Sequence, residues 1–241
     1  MLSPITLKFL EAVKLNNNTS RMHVNRDLYI QERDRYANLI TSLLEQMKKL
    51  DSNLEDITVK DCIYRFNKDI RFSKDKSPYK THFGAFLSAG GRKSPMPGYY
   101  LHIQPHNESG ISGGSRCPSP AQRAAIILHI WKHRNQWQEI VEHPTFKAYF
   151  GKLVDKQEEI SLERRLKSHK TRQLLEQLGK TKAKQVLSNT DALEILLYPR
   201  FCFRHPVNDE EVVKLGFEEN VMKGFRLLKP FDDFLGEAIE V

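Results

Sequence analysis

The sequence predicts an α+β fold, in which a mostly antiparallel sheet packs against several helices in a single domain of residues 1–241. Apolar residues recur at helical spacing near both ends of the chain. Short apolar segments separated by glycine and proline turns fill residues 82–115, which is typical of neighbouring strands. No repeat, low-complexity tract or linker divides the chain, so one domain is the economical assignment.

The N-terminal part predicts two helices. Ser3 followed by Pro4 is typical of a helix start, and the helix is expected to end at Asn16–Asn18. A second helix is expected to start near Thr19 or Ser20. Its later half carries one apolar stripe of predicted core positions, namely Tyr36, Leu39, Ile40, Leu43, Leu44, Met47 and Leu50.

Four strands are expected in the middle of the chain. The predicted strands are residues 60–66, 82–88, 99–104 and a short one that begins at Ile111. Because the connections between the later strands are short, neighbouring strands are expected to run antiparallel.

Helices dominate the remaining sequence. Ser119, with Gln122 three residues on and Pro120 between them, forms a capping-box pattern that opens a helix reaching Trp131. The other expected elements are a helix at 137–150 broken near His143, a charged helical segment at about 152–190, a short helix at 208–216, a strand at 225–228 and a final helix at 231–239.

Charge and cysteine content indicate the class of partner and the compartment. Lys and Arg number 38 against 30 Asp and Glu, and the resulting net charge of +8 favours acidic partners. Cys62, Cys117 and Cys202 are dispersed and odd in number, so a reducing compartment, cytoplasmic or nuclear, is expected. The N-terminus lacks a secretory signal and no apolar run reaches membrane-spanning length, so no membrane association is expected. The sequence assigns no cofactor and no oligomeric state.

Residues 63–83, IYRFNKDIRFSKDKSPYKTHF, combine many cations with aromatic residues. The basic residues are Arg65, Lys68, Arg71, Lys74, Lys76 and Lys80. Among the aromatic residues, Phe72 and Tyr79 are expected to be structural, whereas Arg71 and Lys74 are expected to be functional. A core strand could not bury so many charges unpaired. We therefore interpret residues 63–83 as a platform whose apolar side chains hold it down while a cationic fringe faces outward.

A second informative stretch is residues 112–123. Gly113, Gly114 and Arg116 lie just before the helix that Ser119 caps. Free backbone N–H groups and the helix dipole favour anions at such a place. Neither GxxxxGK[ST] nor GxGxxG is present, so no nucleotide-binding fold follows. Taken alone, the stretch favours the alternative of a flexible turn into a helix.

The two stretches together supply the anion-binding candidates. These are Arg65, Arg71, Lys74, Lys80, Gly113, Gly114 and Arg116. A guanidinium can bind phosphate or carboxylate through two parallel hydrogen bonds, so Arg71 and Arg65 are the best candidates for a clamp. The alternative is that Asp69 and Asp75 pair with the arginines and the remaining cations are solvated. If the stretches share one site, substitutions of Arg71 and Arg116 should be non-additive for binding.

Three residues are candidates for proton transfer, namely Asp69, Asp75 and His82. Carboxylates among basic residues are more often structural partners. His82 and His102 lie on adjacent predicted strands, which could bring them together. A histidine pair without a third ligand does not define a metal site, so no metal is expected. Cys117 lies near a helix start, where a thiolate is stabilised, but an ordinary loop cysteine is the favoured interpretation.

The platform also carries a family resemblance. The residues that match are Asp69–Thr81, Pro97–Tyr100, Gly113–Gly114, His205–Pro206, Asn16–Asn18 and Asn25–Arg26. In these residues the chain resembles the family named domain of unknown function 2461 (DUF2461), although Met22–His23 stands where that family usually has Trp-Phe. The resemblance implies a shared α+β fold and no established activity.

The leading functional hypothesis is a binding site for a phosphorylated small molecule or a nucleic-acid backbone. One alternative is an enzyme acting on a phosphorylated or acidic small molecule, with Arg71 binding substrate and Asp69, Asp75 or His82 moving protons. Another is a scaffold that uses its basic face for protein contacts. A concave site would favour the enzyme, whereas a broad basic stripe with exposed aromatic residues would favour nucleic acid.

Overall fold

The computed structural model describes residues 1–71, 73–153, 172, 176, 181, 198 and 200–239. Its elements are α1 (Pro4–Leu15), α2 (Thr19–Val24), α3 (Arg26–Lys48), a 3₁₀ turn (Ser52–Leu54), α4 (Val59–Cys62), β1 (Phe83–Ser88), β2 (Gly98–Ile103), β3 (Ser109–Ser115), α5 (Pro120–Lys132), α6 (Arg134–Val141), α7 (Pro144–Phe150), β4 (Phe201–Val207), α8 (Asp209–Val213) and α9 (Phe217–Ile239). The strands form a four-stranded antiparallel sheet in the order β1-β2-β3-β4. The predicted α+β class is confirmed.

The chain forms two compact units. Unit 1 comprises Met1–Ser94, Gly98–Ser112 and His205–Arg226, and unit 2 comprises Pro95–Pro97, Gly113–Arg204 and Leu227–Val241. The assignment of residues 1–241 to one domain stays a prediction. Among the described residues, no helix has both the length and the apolar character needed to cross a membrane.

The core of unit 1 is built from α1, α3 and the inner face of β1 and β2. Six of the seven predicted stripe residues of α3 are buried, from Tyr36 to Met47. Leu50 is 44% exposed because α3 ends at Lys48, so its assignment to the core is wrong. The Tyr36 ring stacks on Phe83 with centroids 5.3 Å apart, and its hydroxyl donates to the backbone oxygen of Leu101. These contacts fix the first two strands against the long helix.

The strand expected at residues 60–66 is wrong. Thr58 and Asp61 form a capping box, and this opens the short helix α4 instead. The Asp61 carboxylate accepts hydrogen bonds from both the backbone N–H and the hydroxyl of Thr58. Ile63 then makes only an isolated bridge to Ala85. The helix start signal at Thr58 therefore overrides the strand that was expected here.

In unit 2 the capping box of Ser119 and Gln122 is confirmed, and α5 follows it. Two short helices, α6 and α7, replace one helix at the break expected near His143. The rings of Phe231 and Phe234 each lie 5.7 Å from Trp137, between ring centroids. Aromatic packing of this kind contributes beyond the area it buries.

Three further expectations concern the C-terminal third. The strand at 225–228 is wrong, because these residues lie inside the long helix α9. Strand β4 was not predicted. The short helix that Asn208 and Glu211 cap is confirmed as α8. The charged segment expected at about 152–190 lies outside the described residues, apart from single positions, and so does Phe72.

Candidate functional site

Phe66 packs the platform against the core of unit 1. Its ring is buried and lies 5.2 to 6.0 Å, between ring centroids, from four other rings. These belong to Phe9, Tyr29, Tyr79 and Phe83. The aromatic side chains of this stretch therefore anchor its backbone, while most of its charges face solvent.

The backbone of the platform is closed at its base by hydrogen bonds. The N–H of Lys80 donates to the oxygen of Phe66, and the N–H of Lys68 donates to the oxygen of Pro78. Asn17 secures the same place from outside the platform. Its amide donates to the Tyr79 oxygen at 2.9 Å and accepts from the Tyr79 N–H at 3.1 Å. One of the asparagines that resemble the family pattern thus fixes the platform to the end of α1.

The loop between Lys68 and Pro78 carries charges that pair within the loop. The Arg71 guanidinium donates two hydrogen bonds to the Asp69 carboxylate, at 2.9 and 2.7 Å. Lys68 donates to Asp75 at 2.5 Å, and Ser77 donates to Asp75 as well. The geometry thus matches the pairing alternative for Arg71, whose side chain is 75% exposed. Lys76 donates to the backbone oxygen of Ile70, and Lys74 is exposed.

These ion pairs hold both loop carboxylates in the charged form. Hydrogen bonds from the side chain and backbone of Arg71 lower the pKa of Asp69 to about 2. Hydrogen bonds from Lys68 and Ser77 lower the pKa of Asp75 further. A carboxylate this acidic carries no proton to donate at neutral pH. The proposed acid/base roles of Asp69 and Asp75 stay predictions, and the geometry favours structural roles.

A different set of residues meets on the outer face of β1 and β2. Gly84 pairs with His102 in the register of the two strands. Tyr100, His102 and Gln104 alternate along the chain, so they share one face, and all three are half-buried. Tyr64 reaches the same face, because its N–H donates to the oxygen of Gly84 at 3.0 Å.

Basic residues border this face. Lys80 Nζ lies 5.3 Å from the centre of the Tyr64 ring, which in turn lies 6.3 Å from the Tyr100 ring in an edge-on arrangement. We call the set the sheet-face cluster. It consists of Tyr64, Arg65, Lys80, His82, Arg92, Tyr100, His102 and Gln104. Every member belongs to unit 1.

The surroundings of Lys80 disfavour its charged form. Burial lowers its pKa first, and the nearby charges of Arg65 and then Arg92 lower it further. Within the described part of the chain, no carboxylate forms an ion pair with Lys80. The Arg65 guanidinium lies 4.0 Å from the Asp69 carboxylate, between Nη2 and Oδ2. The Arg92 guanidinium donates to the backbone oxygen of Lys60. Lys80 therefore lies against the Tyr64 ring and within the electrostatic influence of two further cations.

The histidine pair expected from adjacent strands is confirmed in its geometry. The ring centroids of His82 and His102 lie 4.4 Å apart. His102 also links two neighbours on its own strand. Its Nδ1 lies 3.0 Å from the Tyr100 hydroxyl, and its Nε2 lies 3.1 Å from Gln104 Oε1. The described residues hold no group of three or more His, Cys, Asp or Glu side chains able to bind a metal ion.

Sequence reasoning missed several members of this cluster. Lys80, Arg65 and His82 were candidates, whereas Tyr100, Gln104 and Arg92 were not. The spacing of positions 100, 102 and 104 within a predicted strand was the available signal, because alternate residues share a face. The sequence offers no comparable signal for Arg92, whose backbone oxygen accepts a hydrogen bond from the Tyr64 hydroxyl.

The loop expected around Gly113 and Gly114 is wrong. Both glycines are buried inside β3. A Cβ on Gly114 would lie 2.1 Å from the backbone oxygen of Phe201, and its φ of 111° also requires glycine. Close packing thus explains this glycine. The anion-binding assignments of Gly113, Gly114 and the exposed Arg116 stay predictions, as does a site shared with Arg71.

The cysteines differ in their environments. Cys62 and Cys202 are buried, and burial raises the pKa of each thiol to about 12. Cys117 is exposed. A thiol with so high a pKa is a poor nucleophile at neutral pH, so neither buried cysteine supplies chemistry to a site.

The fold and the site together define an α+β protein whose antiparallel sheet presents a cationic face containing tyrosine and histidine. A family model described as conserved hypothetical protein (DUF2461) matches residues 5–234 of the 241-residue chain. The chain therefore belongs to this family, as the resemblance implied. No curated protein and no solved structure is significantly similar to it.

Proposed function

We propose that unit 1 binds the phosphate group of a phosphorylated ligand at the sheet-face cluster, with Lys80 as the central charge. The observation that carries the proposal is the environment of Lys80. This side chain is half-buried, and the two other charges that perturb it are the cations Arg65 and Arg92. A phosphate group would supply Lys80 with a counterion.

The physical reason is that like charges brought together raise the free energy of the folded state. Burial disfavours the charged form of a lysine, and neighbouring cations disfavour it further. Perturbed groups of this kind concentrate at functional sites. A phosphate bound among Lys80, Arg65 and Arg92 would reverse both penalties, since charge-assisted hydrogen bonds to an anion are among the strongest in proteins.

The surroundings of Lys80 favour a compact phosphate group over a long polyanion. Every member of the cluster except Arg65 is half-buried, Lys80 lies over the Tyr64 ring, and His102 adds a polar group beside Tyr100. Small-ligand sites combine aromatic walls with a few polar groups. By contrast, the exposed cations of the loop, such as Arg71, offer a surface open enough for a nucleic-acid backbone.

The proposal is tested by titrating the protein with inorganic phosphate at low ionic strength and following binding by calorimetry or amide NMR shifts. Lys80→Gln should weaken binding about 10-fold or more, since a hydrogen bond to a charged group contributes roughly 1.5–3 kcal/mol. Lys76→Gln is the matched control. It removes the same charge from an exposed loop residue that donates to a backbone oxygen, and it should leave affinity nearly unchanged.

Two outcomes would contradict the proposal: no phosphate binding at low salt, or equal losses for the two variants. A parallel titration with single-stranded and duplex oligonucleotides separates the ligand classes. Binding that falls steeply with salt and weakens with Lys76→Gln as much as with Lys80→Gln would indicate the nucleic-acid backbone instead.

A further inference from the structure

We propose that the sheet-face cluster hydrolyses phosphomonoesters, with Tyr100 as the group that takes a proton from water and His102 as the base behind it. The inference rests on the proposed function, because the cations that bind phosphate place the ester beside Tyr100. Its own observation is a chain of hydrogen bonds along β2 from Tyr100 through His102 to Gln104.

The direction of this chain follows from its last member. Gln104 Oε1 lies 3.1 Å from His102 Nε2, and since an oxygen can only accept, we assign the imidazole proton to Nε2. In the neutral imidazole the other nitrogen, Nδ1, then has a free electron pair. The Tyr100 hydroxyl, 3.0 Å away, donates to it. His102 is thus oriented to receive the tyrosine proton.

The surrounding core holds Tyr100, His102 and Gln104 in place. The residues between its members, Leu101 and Ile103, are buried in the core, and Tyr36 donates to the backbone oxygen of Leu101. Gly84 leaves the space that the Tyr100 hydroxyl occupies, since a Cβ there would lie 2.8 Å from Tyr100 Oη. A side chain at position 84 would displace the hydroxyl from His102.

The neighbouring cations suit the chemistry. As Tyr100 passes its proton to His102, negative charge develops on the phenolic oxygen, and nearby positive charge stabilises it. Lys80 lies against the Tyr64 ring that contacts Tyr100, and the same cation would face the phosphate. Gln104 is a positioning residue. It is neutral and acts on the reaction only through the imidazole ring that it orients.

The reaction balances without a redox partner. Water, the co-reactant, gives a proton to Tyr100 Oη, while the Tyr100 proton moves to His102 Nδ1. The water oxygen forms a bond to phosphorus, and the bond from phosphorus to the ester oxygen breaks. The departing oxygen keeps that electron pair and receives the proton back through Tyr100. The products are an alcohol and inorganic phosphate.

The test uses p-nitrophenyl phosphate as substrate and inorganic phosphate as the binding probe, with the full chain. The parent protein should release p-nitrophenol catalytically. Tyr100→Phe should lower the rate by about 100-fold or more, the usual contribution of proton transfer, which is a much larger loss than its effect on phosphate affinity. Lys80→Gln should weaken binding and turnover together.

The positioning role of Gln104 has its own readout. Gln104→Glu places a carboxylate behind the imidazole, stabilises its protonated form and should move the acidic limb of the rate-against-pH profile to higher pH. Nitrogen NMR of His102 in the parent should show a protonated Nε2 and an unprotonated Nδ1. Gly84→Ala should lower turnover while the melting temperature stays close to that of the parent.

The possible failures are distinguishable. Phosphate binding without turnover by the parent protein would overturn the catalytic inference and leave the proposed function standing. Turnover that survives Tyr100→Phe would overturn the assignment of Tyr100. An absence of phosphate binding would overturn both, and a His102 protonated on Nδ1 at neutral pH would contradict the proposed hydrogen-bond direction.

Discussion

The 63–83 platform contributes to two groups of basic residues, and the surroundings of the two groups differ. In the loop, Arg71 and Lys68 each bind a carboxylate a few residues away, Asp69 and Asp75. On the sheet face, Lys80 instead lies near Arg65 and Arg92. The loop neutralises its charges locally, whereas the fold brings the sheet-face cations together from separate segments. Charge density in a sequence therefore does not show which cations are available to a ligand.

Burial separates the two groups further. Arg71 and Asp69 are exposed, and exposed ion pairs contribute little to stability because water and salt screen them. Lys80 is half-buried, so its charge interacts more strongly with whatever approaches. The comparison predicts that substitutions in the loop have small effects on stability and on phosphate binding. Substitutions in the sheet-face cluster should change phosphate binding strongly, and substitution of Phe66 should change stability strongly.

The largest effect is expected from the residue on which both regions depend. Phe66→Ala should lower the free energy of unfolding by about 3–5 kcal/mol, because the ring is buried among four others. Denaturant unfolding measures this directly. Arg71→Ala, in the exposed loop, serves as the control and should change stability by less than about 0.5 kcal/mol. Equal effects of the two substitutions would contradict the anchoring role of Phe66.

A smaller effect is expected at Asn17, which holds the backbone of Tyr79 in the platform. Asn17→Ala removes both hydrogen bonds to the Tyr79 backbone and should cost about 1–3 kcal/mol, since a partly buried backbone group loses its partner. Asn17→Asp keeps the oxygen that accepts from the Tyr79 N–H but replaces the donor with an oxygen that faces the Tyr79 oxygen, so it should destabilise as well. Thermal unfolding of the two variants beside the parent provides the check. A neutral Asn17→Ala would refute this role.

The smallest effect is expected for the ion pair of Arg71 and Asp69 in the loop. Its contribution to stability should depend on pH. The pKa of Asp69 lies near 2 in the folded protein against an ordinary value of 3.8. The stabilisation is therefore fully present above pH 3.8 and is lost as the pH falls towards 2. Asp69→Asn should lie slightly below the parent in stability at pH 5 and converge with it in strong acid. A gap that widens on acidification would contradict the pairing.

The sequence predicted the elements whose signals are local. Helix α1 follows from Ser3 and Pro4, α5 from its capping box, and β1 and β2 from apolar alternation between turns. The errors arise where tertiary context decides. Residues 225–228 are apolar enough for a strand, but they continue the long helix α9. Gly113 and Gly114 resemble a turn in sequence, but they lie within β3. At Gly114 a side chain would collide with the backbone oxygen of Phe201.

The candidate site was predictable in part for the same reason. Lys80 and His82 lie in the stretch whose composition drew attention, so they were among the candidates. Arg71 was ranked above Lys80 because a sequence shows charge but not pairing, and its partner Asp69 lies only two residues away. Tyr100 and Gln104 acquire significance only through the hydrogen bonds of His102, which depend on side-chain geometry.

The most direct measurement is a crystal of the protein soaked in selenate, whose anomalous signal locates each bound anion. We expect a selenate within hydrogen-bond distance of Lys80 Nζ that also contacts Arg65 or Arg92. The Arg71 guanidinium should remain on Asp69 in the same crystal. A selenate bound at Arg71 or beside Gly113 and Arg116, with none at Lys80, would contradict the claim that the sheet-face cluster is the anion site.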